Sequence, residues 1–340
     1  MKILIVKLGA LGDVIMATAL IKRIQEHHPG DEVWLLTTPA FAPIFSEWTD
    51  LNVAVFPRRG AKSMWRLLAW MRGSGFKRVY DLQSNDRTGI LCALSGIPER
   101  VGNHPRYPYN ISPLTRWGRR NHVFERMNQV IAAAGIGPAE ARPWLPSSEA
   151  SRTEVADWMT RHHLVDGGFA IMHAGASAHW PSKRWPYYAD LALALRDREI
   201  ATVWIGAGHD KPGNALLAAS TGIDATDEFS IVTLAELGRY ARFAVTNDSG
   251  PMHALAASGI PVYAFFGPTD WRRNHALGQG QHVLRNPAPC LACTKHNRAT
   301  RRDHTCLSGI GVAEVLSRLA DDNLLSPTSS GPPIPTRHLH

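Results

Sequence analysis

The chain has 340 residues, 44% of them hydrophobic and 19% charged, more than one hydrophobic core usually serves and too little charge for a disordered polyelectrolyte. Its net charge of +8 is uneven: residues 1–150 hold 19 Lys and Arg against 12 Asp and Glu, and Leu51 to Tyr80 has no acidic residue while Arg58, Arg59, Lys62, Arg66, Arg72, Lys77 and Arg78 accumulate. A disulfide-stapled miniature scaffold is excluded and an anionic partner implied; with no apolar run resembling a signal peptide or membrane span, a cytoplasmic protein is expected.

Ile3-Leu4-Ile5-Val6 reads as a strand, Lys7 to Asp13 as a glycine turn, and Val14 to Ile24 as a helix, the opening of an α/β fold. Strands follow at Val33–Leu36, Val53–Phe56 and Val79–Leu82, with helical stretches at 40–48, 61–72 and 86–95. In the second of these, Lys62, Arg66 and Arg72 with Met64, Trp65, Leu68 and Met71 give the pattern of an interfacial helix, the alternative being that the tryptophans face the first domain's core and the basic residues are solvated. Near Pro138 to Ser148 the pattern breaks, which sets a domain boundary at residue 150. The α/β rhythm then resumes: helix Ser151–His162, strand Phe169–His173, helix Tyr187–Arg198, strand Thr202–Ile205, helix Leu234–Ala241, strand Phe243–Thr246, helix Pro251–Ser258 and strand Val262–Phe266. Two Rossmann-like domains, 1–150 and 151–325, are expected, facing each other across a cleft and followed by a disordered tail at 326–340 rich in Pro, Ser and Thr.

Asn247-Asp248-Ser249-Gly250-Pro251-Met252-His253 follows a strand and opens a helix. Asp248 or Ser249 can cap that helix, Pro251 suits its first turn, and the exposed N–H groups make an anion site. Gly267-Pro268-Thr269-Asp270 after the next strand puts a second polar loop on the same sheet edge.

The run Asn247 to Ala257, with Gly259-Ile260-Pro261-Val262 and Phe266 to Asp270, resembles the signature of glycosyltransferase family 9, the ADP-heptose:lipopolysaccharide heptosyltransferases. Ile3-Leu4-Ile5-Val6-Lys7 with Leu11-Gly12-Asp13-Val14-Ile15, and His173-Ala174-Gly175-Ala176-Ser177 followed by Pro181-Ser182-Lys183-Arg184-Trp185-Pro186, are similar to the same family, so the resemblance runs from Met1 to about Leu319. It implies a GT-B fold, with an ADP-sugar in the second domain, the acceptor in the first, and inverting transfer that requires no cofactor or metal.

Carried over residue by residue, the resemblance makes Asp13 the general base, where the residues alone leave a helix cap as the alternative, and Lys183 the cation at the donor diphosphate, where a solvated surface pair with Arg184 is the alternative. Ser177, Lys183, Asp210, Asp248, Ser249, Gly250 and His253 fall on the donor side, His253 toward phosphate or packing; Gln83, Asn85 and Arg87 fall on the acceptor side. Gly175-Ala176-Ser177 stands where many relatives have a Thr-Thr pair, removing hydroxyls that could hold phosphate. The basic excess of the first half suits an anionic lipid-linked glycan on the inner-membrane surface, where the protein would sit peripherally.

Cys290-x-x-Cys293 and Cys306 fall one ligand short of a tetrahedral metal site, with His296 and His304 nearby; a structural metal there is an alternative, not an expectation. The rival function is an NAD(P)-linked oxidoreductase, whose fingerprint is incomplete because Gly9-x-x-Gly12 lacks the three-glycine spacing. Nucleic acid is not expected as a partner, because the basic segments lack an RNP-type aromatic pattern and zinc-finger spacing.

Overall fold

A computed structural model describes residues 1–57, 60–104, 107–114, 121–176, 181–286 and 305–326. Ser177, Cys290, Cys293 and all but the first residue of the expected tail lie outside the described residues.

One all-parallel sheet is built from β1 (Lys2–Val6), β2 (Glu32–Thr37), β3 (Asn52–Val55), β4 (Arg78–Asp81) and β5 (Glu99–Val101), in the order β3-β2-β1-β4-β5. Its helices are α1 (Leu11–His27), α2 (Ala61–Gly73), α3 (Asp86–Leu94) and α4 (Val123–Ala133). After α5 (Glu149–Arg161), a second parallel sheet takes β6 (Phe169–His173), β7 (Ala201–Trp204), β8 (Ile223–Asp224), β9 (Phe243–Asn247), β10 (Val262–Phe265) and β11 (Val283–Leu284), in the order β11-β10-β9-β6-β7-β8. With it go α6 (Tyr188–Arg196), α7 (Lys211–Ser220), α8 (Ile231–Gly238), α9 (Gly250–Ala256), α10 (Trp271–Asn274), α11 (Thr305–Ser308) and α12 (Val312–Asp321).

Strands β6 and β9 are buried at every position, as expected of strands covered on both faces. Helix α1 is buried continuously from Val14 to Ile21, because its far side meets α9 of the second half rather than water. One apolar cluster runs from Ile3 and Ile15 through Met252 and Leu255 to Leu277, so the halves share a core. The Pro-rich connection is tied down as well: Trp144 N donates to Thr18 Oγ1 (2.8 Å) and Arg239 donates to Leu145 O (3.1 Å).

Two readings of local structure need correction. The stretch at 40–48 is only a 3-10 turn, Ala42–Phe45, with Pro43 in its first positions. In α2, Leu67, Leu68 and Met71 are buried in the first half's core, so the apolar surface expected of an interfacial helix is reduced to Trp65, 71% exposed, with Met64 half-buried.

Candidate active site

The strand order reverses between β1 and β4 in one sheet and between β6 and β9 in the other. Crevices beyond the carboxyl ends of strands at such switch points are where open α/β sheets take ligands. At the first, Lys7 leaves β1 and turns inward, 2% exposed, with Nζ 3.3 Å from Leu82 O and 4.0 Å from Asp13 Oδ2. Burial pushes its ammonium down; the carboxylates of Asp13 and Asp81 oppose that. Asp13 is the third residue of α1, whose cap position is Ala10, so it is not a helix cap. Asp81 is fully buried, and its Oδ1 accepts from Gln83 N (3.0 Å) and Ser84 N (2.8 Å) while Oδ2 accepts from the Tyr109 hydroxyl (2.5 Å). Burial drives this carboxyl up, and the hydrogen bonds hold it back.

Between the halves a cavity of about 170 Å³ exposes Asp13, with Lys7, Gln83 and Arg126 on the first-half side and Arg273 and Asn274 of α10 opposite. Of the expected acceptor residues, Gln83 reaches it, its Oε1 accepting from Leu8 N at 3.0 Å. Asn85 instead caps α3, accepting from Thr88 N (3.0 Å) while its own N–H donates to Thr88 Oγ1 (3.1 Å). Arg87 is exposed and lines a separate small cavity with Phe56 and Met64.

At the second switch point Asn247 is a buried clamp: Nδ2 donates to Ala174 O (3.0 Å) and Gly175 O (2.9 Å), and Oδ1 accepts from Trp185 N (3.1 Å). Asp248 Oδ2 accepts from Lys183 Nζ and Thr269 Oγ1, each at 2.6 Å. Lys183 is therefore a largely enclosed ion-pair partner, not half of a solvated surface pair. Arg184 reaches Asp210, Nη2 to Oδ1 3.7 Å. Ser249 holds the cap position of α9 without a side-chain capping bond: its Oγ lies 3.0 Å from His173 Nδ1 and donates to Asn247 O at 3.1 Å.

Of these residues His173, Asp210 and Ser249 line a cavity of about 380 Å³, together with Gly206, Phe229 and Gly250 and with Leu11 of α1 in its wall; Lys183, Asp248 and His253 are not part of its lining. Asp210 is 7% exposed, accepts from Ala207 N (3.2 Å), and among the described residues its Oδ1 has no hydrogen-bond partner. A Cβ on Gly175 would lie 2.4 Å from that oxygen, so glycine is what admits it. Burial lowers His173 to about 4, against the pull of Asp210, and leaves a neutral ring between Asp210 and the Ser249 hydroxyl. His253, also lowered to about 4 by burial, packs its ring against Gly12, where a Cβ would sit 2.4 Å from His253 Cδ2. Gly12 thus serves contact between helices α1 and α9 rather than a dinucleotide pyrophosphate, and the oxidoreductase reading loses its glycine.

Lys7, Asp81 and Asn247 carry the geometry without having been singled out as site residues. The signal was a charged or amide side chain inside or ending an apolar strand that is buried on both faces. Among the described residues no group of three or more His, Cys, Asp or Glu is placed to hold a metal ion.

The family model of glycosyltransferase family 9 (heptosyltransferase) matches residues 64–302. Lipopolysaccharide heptosyltransferase 1 of Pseudomonas aeruginosa is 28% identical over 326 residues, 87% of this chain and 86% of that protein. Among solved structures, a glycosyltransferase family 9 protein from Veillonella parvula superimposes with a TM-score of 0.77 at 22% identity, covering 95% of this chain and 97% of its own. The ADP-heptose lipopolysaccharide heptosyltransferase II of Escherichia coli does so with 0.73 at 23%, covering 96% and 98%. Two parallel sheets facing each other with a cavity at each switch point are the GT-B fold, and since the family pattern extends over most of the sequence, the chain belongs to glycosyltransferase family 9.

Proposed function

We propose that the enzyme moves a heptose from ADP-heptose to an anionic glycan of the lipopolysaccharide core, with inversion at the anomeric carbon. The observation that carries this reading is the convergence of the two cavities: Leu11 walls the larger one and Asp13, two residues on, opens into the smaller. In it, Asp13 removes the proton from an acceptor hydroxyl, that oxygen bonds to the anomeric carbon, and the bond from that carbon to the diphosphate oxygen breaks, so that ADP departs. Lys183 stands beside the β9–α9 loop, where a cation stabilises charge on the leaving diphosphate. Asp210 lines the larger cavity, and its carboxylate suits a donor hydroxyl. No cofactor enters this scheme. The names of the relatives supply the donor and the core acceptor; the basic first half supports an anionic glycan.

The same reading places the protein in the cytoplasm at the inner-membrane surface, with Lys62, Trp65 and Arg66 of α2 toward anionic lipid. Among the described residues no helix is long and apolar enough to cross a membrane. Mass spectrometry of products from a panel of nucleotide-sugars and truncated lipopolysaccharide cores tests the function: a heptosylated core with ADP-heptose alone is expected. Asp13→Asn should lower kcat by ~10²–10⁴ while ADP affinity persists; near-normal turnover in that variant removes Asp13 from the chemistry.

A further inference from the structure

We infer that the first half holds a second carbohydrate subsite, between α3 and residues 103–104 and 107–109, that takes the pyranose ring of the acceptor next to the one that reacts. The inference rests on the acceptor-side reading above. The space is a cavity of about 440 Å³, within the ~300–1,000 Å³ span of small-molecule sites. It adjoins the Asp13 cavity, since Ser84, Asn103 and Arg126 line both.

Its walls differ in chemistry. Ile90, Leu94 and Tyr107, all exposed, form an apolar rim with Pro108 behind them. The same cavity is lined by the polar Asn85, Asp86, Asn103 and His104. Asn103 is 8% exposed, and among the described residues neither its Oδ1 nor His104 Nδ1 has a hydrogen-bond partner. A buried acceptor atom left unpaired is costly, and a ligand that brings hydroxyl donors relieves the cost. A pyranose ring has an apolar C–H face and a hydroxyl edge and so answers both walls. An acyl chain would cover the rim and leave Asn103 unanswered.

The site is also built in advance. Tyr109 forms part of the wall, and its hydroxyl is fixed by buried Asp81 at 2.5 Å. Gly102 permits that placement, because a Cβ there would lie 2.4 Å from the Tyr109 ring. The Asp81 carboxylate thus holds two residues of the cavity lining, Ser84 through its N–H and Tyr109 through its hydroxyl.

Two variants test this. Ala93→Trp fills the cavity from the α3 side, and His104→Leu removes the unpaired nitrogen; both residues line this cavity and neither lines the Asp13 cavity. Two acceptors are compared: the reacting acidic sugar as its methyl glycoside, and a deacylated core oligosaccharide in which that sugar carries the next one. For the oligosaccharide, KM should rise at least tenfold in either variant; for the methyl glycoside and ADP-heptose it should stay within twofold. An unchanged KM for the oligosaccharide in a folded variant, or a parallel rise for both acceptors, overturns the subsite. Calorimetry separates this from the transfer reading. Tighter binding of oligosaccharide than of methyl glycoside to the wild type, lost in either variant, supports the subsite even if no acceptor is turned over, whereas equal affinities overturn it. A decyl glycoside that binds as tightly as the oligosaccharide would assign the cavity to an alkyl chain and overturn it too.

Discussion

At the scale of residues, the pair that most constrains the site is Lys183 and Asp248. Breaking an enclosed ion pair by removing one member leaves the other uncompensated, at a cost of about 3–5 kcal/mol. Lys183→Ala is therefore expected to lower thermal stability by that order as well as to weaken ADP-sugar binding and slow transfer. Adding Asp248→Leu should restore part of the melting temperature and none of the activity; if Lys183→Ala alters neither stability nor kinetics, the pairing at 2.6 Å is without consequence. The sequence showed Lys183 within a motif but not its partner, because that contact spans 65 residues and depends on how β9 sits beside β6. Asp13 was legible for the opposite reason: a carboxylate in the first turn of a helix that follows a strand and a glycine turn is placed by local chemistry.

Three buried imidazoles make a second prediction. His122, His173 and His253 are each lowered by burial to about 4 from an ordinary 6.5. Below pH 6.5 the unfolded chain takes up protons that the folded one refuses, so stability is full above that value and declines as pH falls toward 4. Each unit of separation is about 1.4 kcal/mol, so three rings together amount to a loss of several kcal/mol. Denaturant melts from pH 7 to 4 should show it, and His253→Gln should flatten the slope; an equal slope in that variant would clear His253.

At the scale of elements, length decided what could be read in advance. Strands β1, β6 and β9 and the longer helices α1 and α5 follow their apolar patterns, whereas β8 and β11 have two residues each and β5 three, too few to show a period. Helix α7 was missed because Lys211-Pro212-Gly213 reads as a breaker, although proline belongs in a first turn. Helix α2 was recognised but its faces were misjudged: a stripe of Met and Leu at helical spacing reads the same whether it meets lipid or core. What remains outside is Trp65 with Lys62 and Arg66, while Arg72 Nε donates to Leu94 O at 2.8 Å. The expected outcome is sedimentation with anionic vesicles at low salt, reduced by Lys62→Ser and Arg66→Ser together and further by Trp65→Ser, with ADP affinity unchanged. Basic residues near such a surface contribute about 1 kcal/mol each, so the double change should weaken binding by roughly an order of magnitude or more. Equal sedimentation of the variants would remove α2 from the membrane.

At the scale of the whole molecule, the two-sheet architecture was legible from the recurrence of strand, turn and helix, and the contact between the halves was not. That contact is made by glycines: a Cβ on Gly250 would lie 2.4 Å from Leu11 Cδ2, just as one on Gly12 would meet His253. Gly12→Ala and Gly250→Ala should each cost about 1–3 kcal/mol through overpacking. Both should lower kcat as well, because the displacement falls between the two cavities; circular dichroism melts and turnover measured side by side would show whether the two losses move together.

The same contact has a mechanical meaning. Helices α1 and α9 meet at their first turns, and those turns carry Asp13 on one side and Ser249-Gly250 on the other. Displacement under rotation grows with distance from the axis. A turn of one half against the other about this point would sweep the outer strands β3 and β8 through wide arcs and barely change the spacing between Asp13 and the β9–α9 loop. On the proposed roles the reacting groups sit near the fulcrum, so such a turn would open the crevice to a bulky glycan without spoiling the alignment on which that chemistry depends.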